Sequence, residues 1–341
     1  MNFEILHAFP PAKTEQSWRE FLHRVDLPSH YNAPEYFLDP LRSGSRAFAI
    51  LALDGDLVRG VLTGFHLGKE VFSGLASRPQ ICIDGADSDA ALSALAAGVL
   101  EESAGAALVH VFTWSSLELP GFSALGFRHR QLKGCVVLDL TRGEEALFRD
   151  FAKDRRRNIR FAEKHGVEVR ESASSQDVRD AYAVYSAWRK TDRKEVKSDW
   201  TFPDFEKTMR VRSNRRLFLA TFEGKAIAFN IFRFFPGGLF ESAANSSLEQ
   251  FMHLKPNDLL QWRGIQWACS QGMRRHSLGG AHDFLLRFGG TVAPILHYRL
   301  DKTLFHRHDL KDGISGRARS LLQQAPAPVS RALKRLLKKR G

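Results

Sequence analysis

Three stretches of this chain carry side chains suited to chemistry on an anionic or carbonyl-bearing ligand. The first is the run around Lys153–Lys164. Wound at 100° per residue as one helix from Glu144 to His165, it places Leu147, Phe148, Phe151, Ile159 and Ala162 on one arc. Arg155 falls in the middle of that arc and Asn158 near its edge. Lys153, Arg156, Arg157, Arg160 and Lys164 face the other way. An arginine on an apolar stripe needs a partner, because a buried unpaired charge is very costly. A structural carboxylate and an anionic ligand in a cleft both satisfy that need. The outer basic face is either a solvated surface or a binding surface for phosphate. The second stretch is the helix expected from Pro256 to Ser270, apolar nearly all round and therefore buried, with proline in its first turn. A helix N-terminus can hold an anion, but no glycine-rich loop precedes this one, and Asp258 in its first turn would repel a phosphate. The third is LGGAHDFLLRFGG (Leu278–Gly290). Gly279 and Gly280 allow close backbone approach, and His282 with Asp283 adds titratable groups where a histidine can serve as general base.

Other chemistries lack their signatures. There is no Ser-His-Asp ordering, no P-loop, no dinucleotide fingerprint and no metal-ligand spacing, so neither a metal nor a bound cofactor is expected. Cys82, Cys135 and Cys269 stand in apolar runs and read as buried thiols of a reducing compartment. The sequence starts without a signal-peptide pattern and has no apolar stretch of about 18 residues. A cytoplasmic location is expected, with a peripheral position at the inner face of the membrane as a further reading.

The elements that must position these residues repeat. FAILALDGDLVRG (Phe48–Gly60) matches FLATFEGKAIAF (Phe218–Phe229), each a strand, a tight turn and a strand. AGAALVHVFTW (Ala104–Trp114) matches QGMRRHSLGG (Gln271–Gly280), and LGFRHRQLKGCVVLDLT (Leu125–Thr141) matches RFGGTVAPILHYRLDKT (Arg287–Thr303). The expected fold class is α/β with mixed sheets, in two tandem units with a ligand cleft between them. The units are residues 1–141 and 142–310, followed by a tail, 311–341. The first should hold strands near Ala47–Leu53, Leu57–Gly64, Leu75–Ile83, Leu108–Phe112 and Cys135–Leu140 and a helix at Ser88–Ser103. Thr141–Glu144 resembles a capping box for the long helix that follows. The second should hold a helix at Ser175–Thr191, a helix ending near Arg212, and strands at Leu217–Thr221, Ala226–Phe234, Leu239–Ala243, His276–Leu278 and Pro294–Leu300. The net charge is +12, and the stretch from Gly316 onward has eight basic residues and no acidic one. Leucines lie among those charges, a pattern suited to anionic lipid or nucleic acid.

RRRNIRFAEKHGVEVRE (Arg155–Glu171), ESAANSS (Glu241–Ser247), LKPNDLLQWRGIQWACSQGM (Leu254–Met273) and HSLGGAHDFLLRFGG (His276–Gly290) together resemble the second domain of FemABX-type aminoacyltransferases and the related FemAB-like (CelD-like) proteins. That resemblance implies two tandem GNAT-like domains and transfer of an activated acyl group to an amine. The acyl group would be an aminoacyl group from aminoacyl-tRNA, and the acceptor an amine on a cell-envelope precursor. An acyl-CoA-dependent N- or O-acyltransferase acting on a polysaccharide or small metabolite is the second reading. A non-catalytic binder of nucleic acid or a membrane surface is the third. Under the first reading Arg155, Asn158, Ser242 and Asn245 line the substrate cleft, His282, Asp283 and Arg287 serve catalysis, and Arg156, Arg157, Arg160 and Lys164 hold tRNA or phosphate. The tail would touch anionic membrane. Three departures stand out: Ser277 where relatives carry aspartate before the paired glycines, Phe284-Leu285 where they carry an aromatic-lysine pair, and, ahead of Pro256, no acyl-CoA pyrophosphate loop (Arg/Gln-x-x-Gly-x-Gly/Ala) of the ordinary GNAT kind, which argues against plain acetyl-CoA use. Arg287, expected on the same side of a strand as Leu285, is the candidate to replace the missing oxyanion-stabilising lysine.

Overall fold

The structure, a computed structural model, describes residues 1–38, 44–75, 78–85, 88–114, 119–190, 200–211 and 213–310. The first half runs β1 (Asn2–Leu6), α1 (Ala12–Arg24), β2 (Arg46–Asp54), β3 (Leu57–Leu67), β4 (Glu70–Ser73), β5 (Ile81–Ile83), α2 (Ser88–Glu102), β6 (Leu108–Trp114), α3 (Pro120–Ala124) and β7 (Arg128–Asp139). The second runs α4 (Glu144–Asp150), α5 (Lys153–Lys164), β8 (Glu168–Glu171), α6 (Ser175–Lys190), α7 (Phe202–Arg210), β9 (Arg215–Phe222), β10 (Lys225–Phe234), β11 (Leu239–Ser247), α8 (Pro256–Ser270), β12 (Arg275–Gly280), α9 (Asp283–Leu286) and β13 (Thr291–Asp301).

The strands join into one mixed sheet in the order β1-β2-β3-β4-β6-β13-β7-β12-β11-β10-β9-β8, with β5 on the edge of β3. The order is symmetric about its centre. β2-β3 corresponds to β9-β10, the parallel pair β4-β6 to the parallel pair β11-β12, and β13 to β7. This is the tandem repeat expected from the sequence, with one feature the sequence did not disclose: the halves exchange their last strands. β7 pairs with β12, β13 pairs with β6, and the two exchanged strands pair with each other. Val136, Leu138 and Leu140 therefore sit in the core under α8, while Leu296 and Tyr298 sit in the core under α2.

Several local expectations are corrected. The helix drawn from Glu144 to His165 is two helices, because Phe151 and Ala152 are extended (ψ 141° and 148°) and Ala152 N–H donates to the Arg287 carbonyl at 2.8 Å. The buried set is still Leu147, Phe151, Ile159 and Ala162. No capping box forms at Thr141. Asp139 caps a 3-10 turn there, and Gly143, at φ +77°, precedes α4. Of the strand expected at Leu75–Ile83, only Ile81–Ile83 (β5) is a strand among the described residues; β4 ends before it at Ser73, and residues 78–80 belong to the loop that leads into β5. That loop turns out to serve the site. The basic tail 311–341 lies outside the described residues. No helix among the described residues is long and apolar enough to cross a membrane.

Candidate functional site

β11 and β12 run side by side for only three residue pairs, Leu239/Arg275, Phe240/His276 and Glu241/Ser277. Both strands then bulge, β11 near Ala243 and β12 near Leu278, and they part. Past Glu241 the β12-facing edge of β11 has no strand partner, so its backbone groups face the gap. The gap is a notch of about 380 Å³. Ser242, Ala243 and Asn245 line it from β11, Leu278–Gly280 from β12, Asn257, Leu260 and Gln261 from the first turns of α8, and His282, Phe284 and Leu285 from the α9 region. In the first half the corresponding pairing of β4 with β6 ends at Ser73 and Val111. A larger cavity of about 600 Å³ lies in the first half, beside the C-terminal end of α2, where His66 Nε2 and Glu102 Oε1 meet at 2.5 Å.

The first half contributes a side chain to the notch. The loop after β4 is held by Gln80, whose Oε1 accepts from Gly74 N–H at 2.6 Å and whose Nε2 donates to Thr63 Oγ1 at 2.9 Å. From this loop Arg78 reaches across to Glu241 and donates to the Ala243 carbonyl at 2.7 Å. Burial opposes the Arg78 charge most strongly, but Glu241 and Tyr31 together outweigh it and the net shift is upward. Arg78 also lines a second, smaller cavity of about 130 Å³ between the halves, together with Tyr31, Asn32, Trp114, Leu239 and Glu241. Glu241 is 4% exposed and its Oε2 has no hydrogen-bond partner. A buried carboxylate oxygen left open beside a cavity is costly unless a ligand uses it. Glu241, Arg78 and Gln261 were missed by sequence reasoning. Glu241 closes the apolar run GGLFE and opens the segment ESAANSS that carries the resemblance, but nothing in the sequence linked it to Arg78, 163 residues away.

Of the residues singled out from sequence, the notch brings together Ser242, Asn245 and His282. Ser242 Oγ donates to Asn230 Oδ1 at 3.1 Å. His282 and Asp283 are both exposed, and their side chains make no hydrogen bond to each other. The paired glycines behave as expected: Gly279 needs its positive φ of 108°, and a Cβ at Gly280 would project into open space. Arg155, Asn158 and Arg287 form a separate cluster behind the notch. Arg155 Nη1 donates to Asp258 Oδ1 at 2.7 Å and Nη2 to Asp154 Oδ2 at 3.0 Å, so the partner its position demanded is a pair of carboxylates. Asn158 approaches the other Asp258 oxygen at 3.5 Å. Burial pushes the Asp258 carboxyl up to about 6 despite the attraction of Arg155. Paired in this way, Asp258 does not present a bare charge to the notch. Arg287 follows a short helix, not a strand, and donates to Asp154 at 2.6 Å. It therefore does not share a strand face with Leu285. The Arg155 guanidinium stacks 4.7 Å from the Phe284 ring, which is a wall of the notch. On the outer face Arg157, Arg160 and Lys164 are exposed, Arg160 lying over Phe148, while Arg156 donates to the Arg149 carbonyl at 3.0 Å.

Gln261 has its own support. Its Nε2 donates to His276 Nε2 at 2.6 Å, and His276 Nδ1 donates to the Phe240 carbonyl at 3.0 Å. Burial lowers His276 to about 4, so the ring stays neutral and accepts from the amide. The thiols are inert by comparison, burial pushing Cys135 up to about 11 and Cys82 to about 12.

Residues 149–288 match the family described as acetyltransferase (GNAT) domain. No curated protein matches the chain significantly. Among solved structures the chain is similar to FemX, with a TM-score of 0.65, 14% identity, and coverage of 87% of this chain and 96% of that one. It is similar to the C-terminal domain of a putative lysylphosphatidylglycerol synthetase from Agrobacterium fabrum, with a TM-score of 0.60, 14% identity and coverage of 89% and 96%. It is also similar to a tandem GNAT protein from the clavulanic acid biosynthesis pathway, with a TM-score of 0.57, 12% identity and coverage of 89% and 99%. The family match covers the half that holds the notch, and the fold likeness spans both halves. Residues 149–288 are therefore a GNAT-type acyltransferase domain, and over both halves the chain has the fold seen in FemX and in the tandem GNAT protein.

Proposed function

We propose that the chain transfers an activated aminoacyl group from aminoacyl-tRNA to a primary amine of a cell-envelope precursor, with the two substrates meeting at Glu241. The observation that carries the reading is the buried, half-satisfied Glu241 carboxylate between the notch and the smaller cavity. The donor lies along the open edge of β11, its carbonyl toward the Gly279–Gly280 side. The amine enters from the smaller cavity. Its nitrogen attacks the carbonyl carbon, the C–N bond forms, and the proton passes to Glu241 Oε2. The tetrahedral intermediate collapses with loss of the ester oxygen, which takes up the proton that the amine gave to Glu241, and the carboxylate is restored. Arg78 balances the Glu241 charge before proton transfer and, by donating to the Ala243 carbonyl, fixes the β11 bulge. Gln261, oriented by His276, offers its amide to the donor, and His282 at the rim is placed for the leaving group. Arg155, Asn158, Arg287 and Asp283 act from outside the notch, Arg155 by backing Phe284. Arg157, Arg160 and Lys164 supply positive charge for tRNA phosphates, since α5 packs against α8 beside the notch. The FemX and lysylphosphatidylglycerol synthetase likenesses support an envelope acceptor.

A second reading keeps the site and changes the donor to an acyl-CoA. The GNAT family match favours it, as does the α8 N-terminus opening on the notch with Asp258 neutralised. Thermal stabilisation separates the two, because a ligand at about 100 times its dissociation constant adds roughly 2.7 kcal/mol. A shift with charged but not uncharged tRNA supports the first reading. A shift with acyl-CoA alone overturns it in favour of the second.

A further inference from the structure

Beyond the notch, β13 ends in a turn that presents large apolar side chains to solvent. Leu304 and Phe305 are 73% and 76% exposed, and Leu310 is 58% exposed. The turn is held firmly. Asp301 is 2% exposed, and its carboxylate accepts from Thr303 N–H and Oγ1 at 3.0 and 2.6 Å and from the N–H groups of His308 and Asp309 at 2.9 Å each. Phe305 and His306 both take positive φ, 59° and 47°, a conformation that costs energy in a residue with a Cβ. A fixed frame is thus spent on holding an aromatic ring out in water. The exposed polar residues of the turn, His306, Arg307 and His308, are basic, while its acids Asp301 and Asp309 are buried or half-buried, Asp309 pairing with Arg128 and Arg299. Directly after the turn the sequence supplies eight more basic residues, with leucines among them and no acid from Gly316 on.

We infer that the Leu304–Phe305 turn is a membrane-docking knob, inserting at the interface of a bilayer that carries anionic lipid. Exposed apolar side chains inside a basic rim fit such a surface, where the rings enter the acyl boundary and the charges meet headgroup phosphates. A nucleic-acid backbone would reward the charges but leave two fully presented apolar residues without gain. The inference does not depend on the identity of the acyl donor.

The test is co-sedimentation of the full chain with phosphatidylcholine vesicles, with or without about 30 mol % phosphatidylglycerol. Binding to the anionic vesicles alone is expected, and Leu304→Ser/Phe305→Ser should weaken it by about tenfold or more at unchanged melting temperature. Phe305→Trp should bind like the parent and gain quenching by brominated-chain lipid. Parent-like binding by the double variant overturns the knob and leaves attraction to the tail. Equal weakening of tRNA binding by the double variant, without vesicle binding, overturns it in favour of nucleic acid.

Discussion

At the scale of single residues, two carboxylates face the proposed roles most directly. Glu241→Gln keeps the shape and the contact to Arg78 but cannot take a proton. Turnover of the folded variant should fall by about 10²–10⁴-fold, read as single-turnover acyl transfer, and the melting temperature should drop as well, because Arg78 loses its buried counter-charge. A rate within threefold of the parent would remove Glu241 as base. Asp258 makes the second case. Burial raises it to about 6, whereas Asp154, bonded to Arg155 and Arg287, lies at about 2. A carboxyl raised on folding binds more protons in the native state between its unfolded value near 4 and its folded value. Stability from Asp258 is therefore present below about pH 4 and lost as pH rises toward 6, by at most about 2–3 kcal/mol. Asp154 has the opposite sign: its contribution is present above about pH 4 and lost toward pH 2. Urea unfolding between pH 4 and 7 should show that Asp258→Asn flattens the decline seen in the parent. An unchanged slope would assign it to other groups.

At the scale of elements, α8 was legible and the α4–α5 region was not, for the same physical reason. Pro256 at the start and an unbroken helical run fix α8 locally, and it spans Pro256–Ser270 in sequence and structure alike. The break at Phe151–Ala152 depends on a carbonyl of Arg287, more than a hundred residues on, which no local pattern announces. The site divides in the same way. Ser242, Asn245 and His282 lie in the segments ESAANSS and HSLGGAHDFLLRFGG that carry the resemblance, and the notch brings them together. Arg78 was not found, because it belongs to the other half's loop. Arg155 was correctly seen to need a partner, but phase around a helix axis does not say which carboxylate answers. α8 also carries a packing prediction. Gly264 lies against Phe232 on β10, and an added Cβ would overlap that ring. Gly264→Ala should cost about 1–3 kcal/mol and move β10 with Asn230, so Ser242 should lose its partner. A thermal melt and substrate KM read both effects, and a parent-like melt would mean the ring has room to turn.

At the scale of the whole molecule, the exchange of β7 and β13 decides whether either half can exist alone. The sequence divides at residues 141 and 142, but strand pairing does not. A chain cut there leaves the 142–310 piece without β7, so β12 has a bare edge and the core under α8 loses Val136, Leu138 and Leu140, each at most 3% exposed. Burying three such side chains is worth about 1.5–3 kcal/mol each, a sum comparable to the whole stability of an ordinary domain. The same piece keeps β13 but deprives it of both neighbours, β6 and β7. It also loses Arg78, leaving the Glu241 carboxylate buried without its counter-charge, an arrangement that is strongly destabilising by itself. Residues 142–310 expressed alone should therefore give no cooperative melt and no acyl transfer, although they contain the entire GNAT match. Co-expression with residues 1–141 should restore both, because each piece supplies the strand the other lacks. A sharp unfolding transition for 142–310 on its own would show that β12 and β13 can close a sheet without the first half, and that the exchange is an ornament of the fold rather than the joint that makes the site.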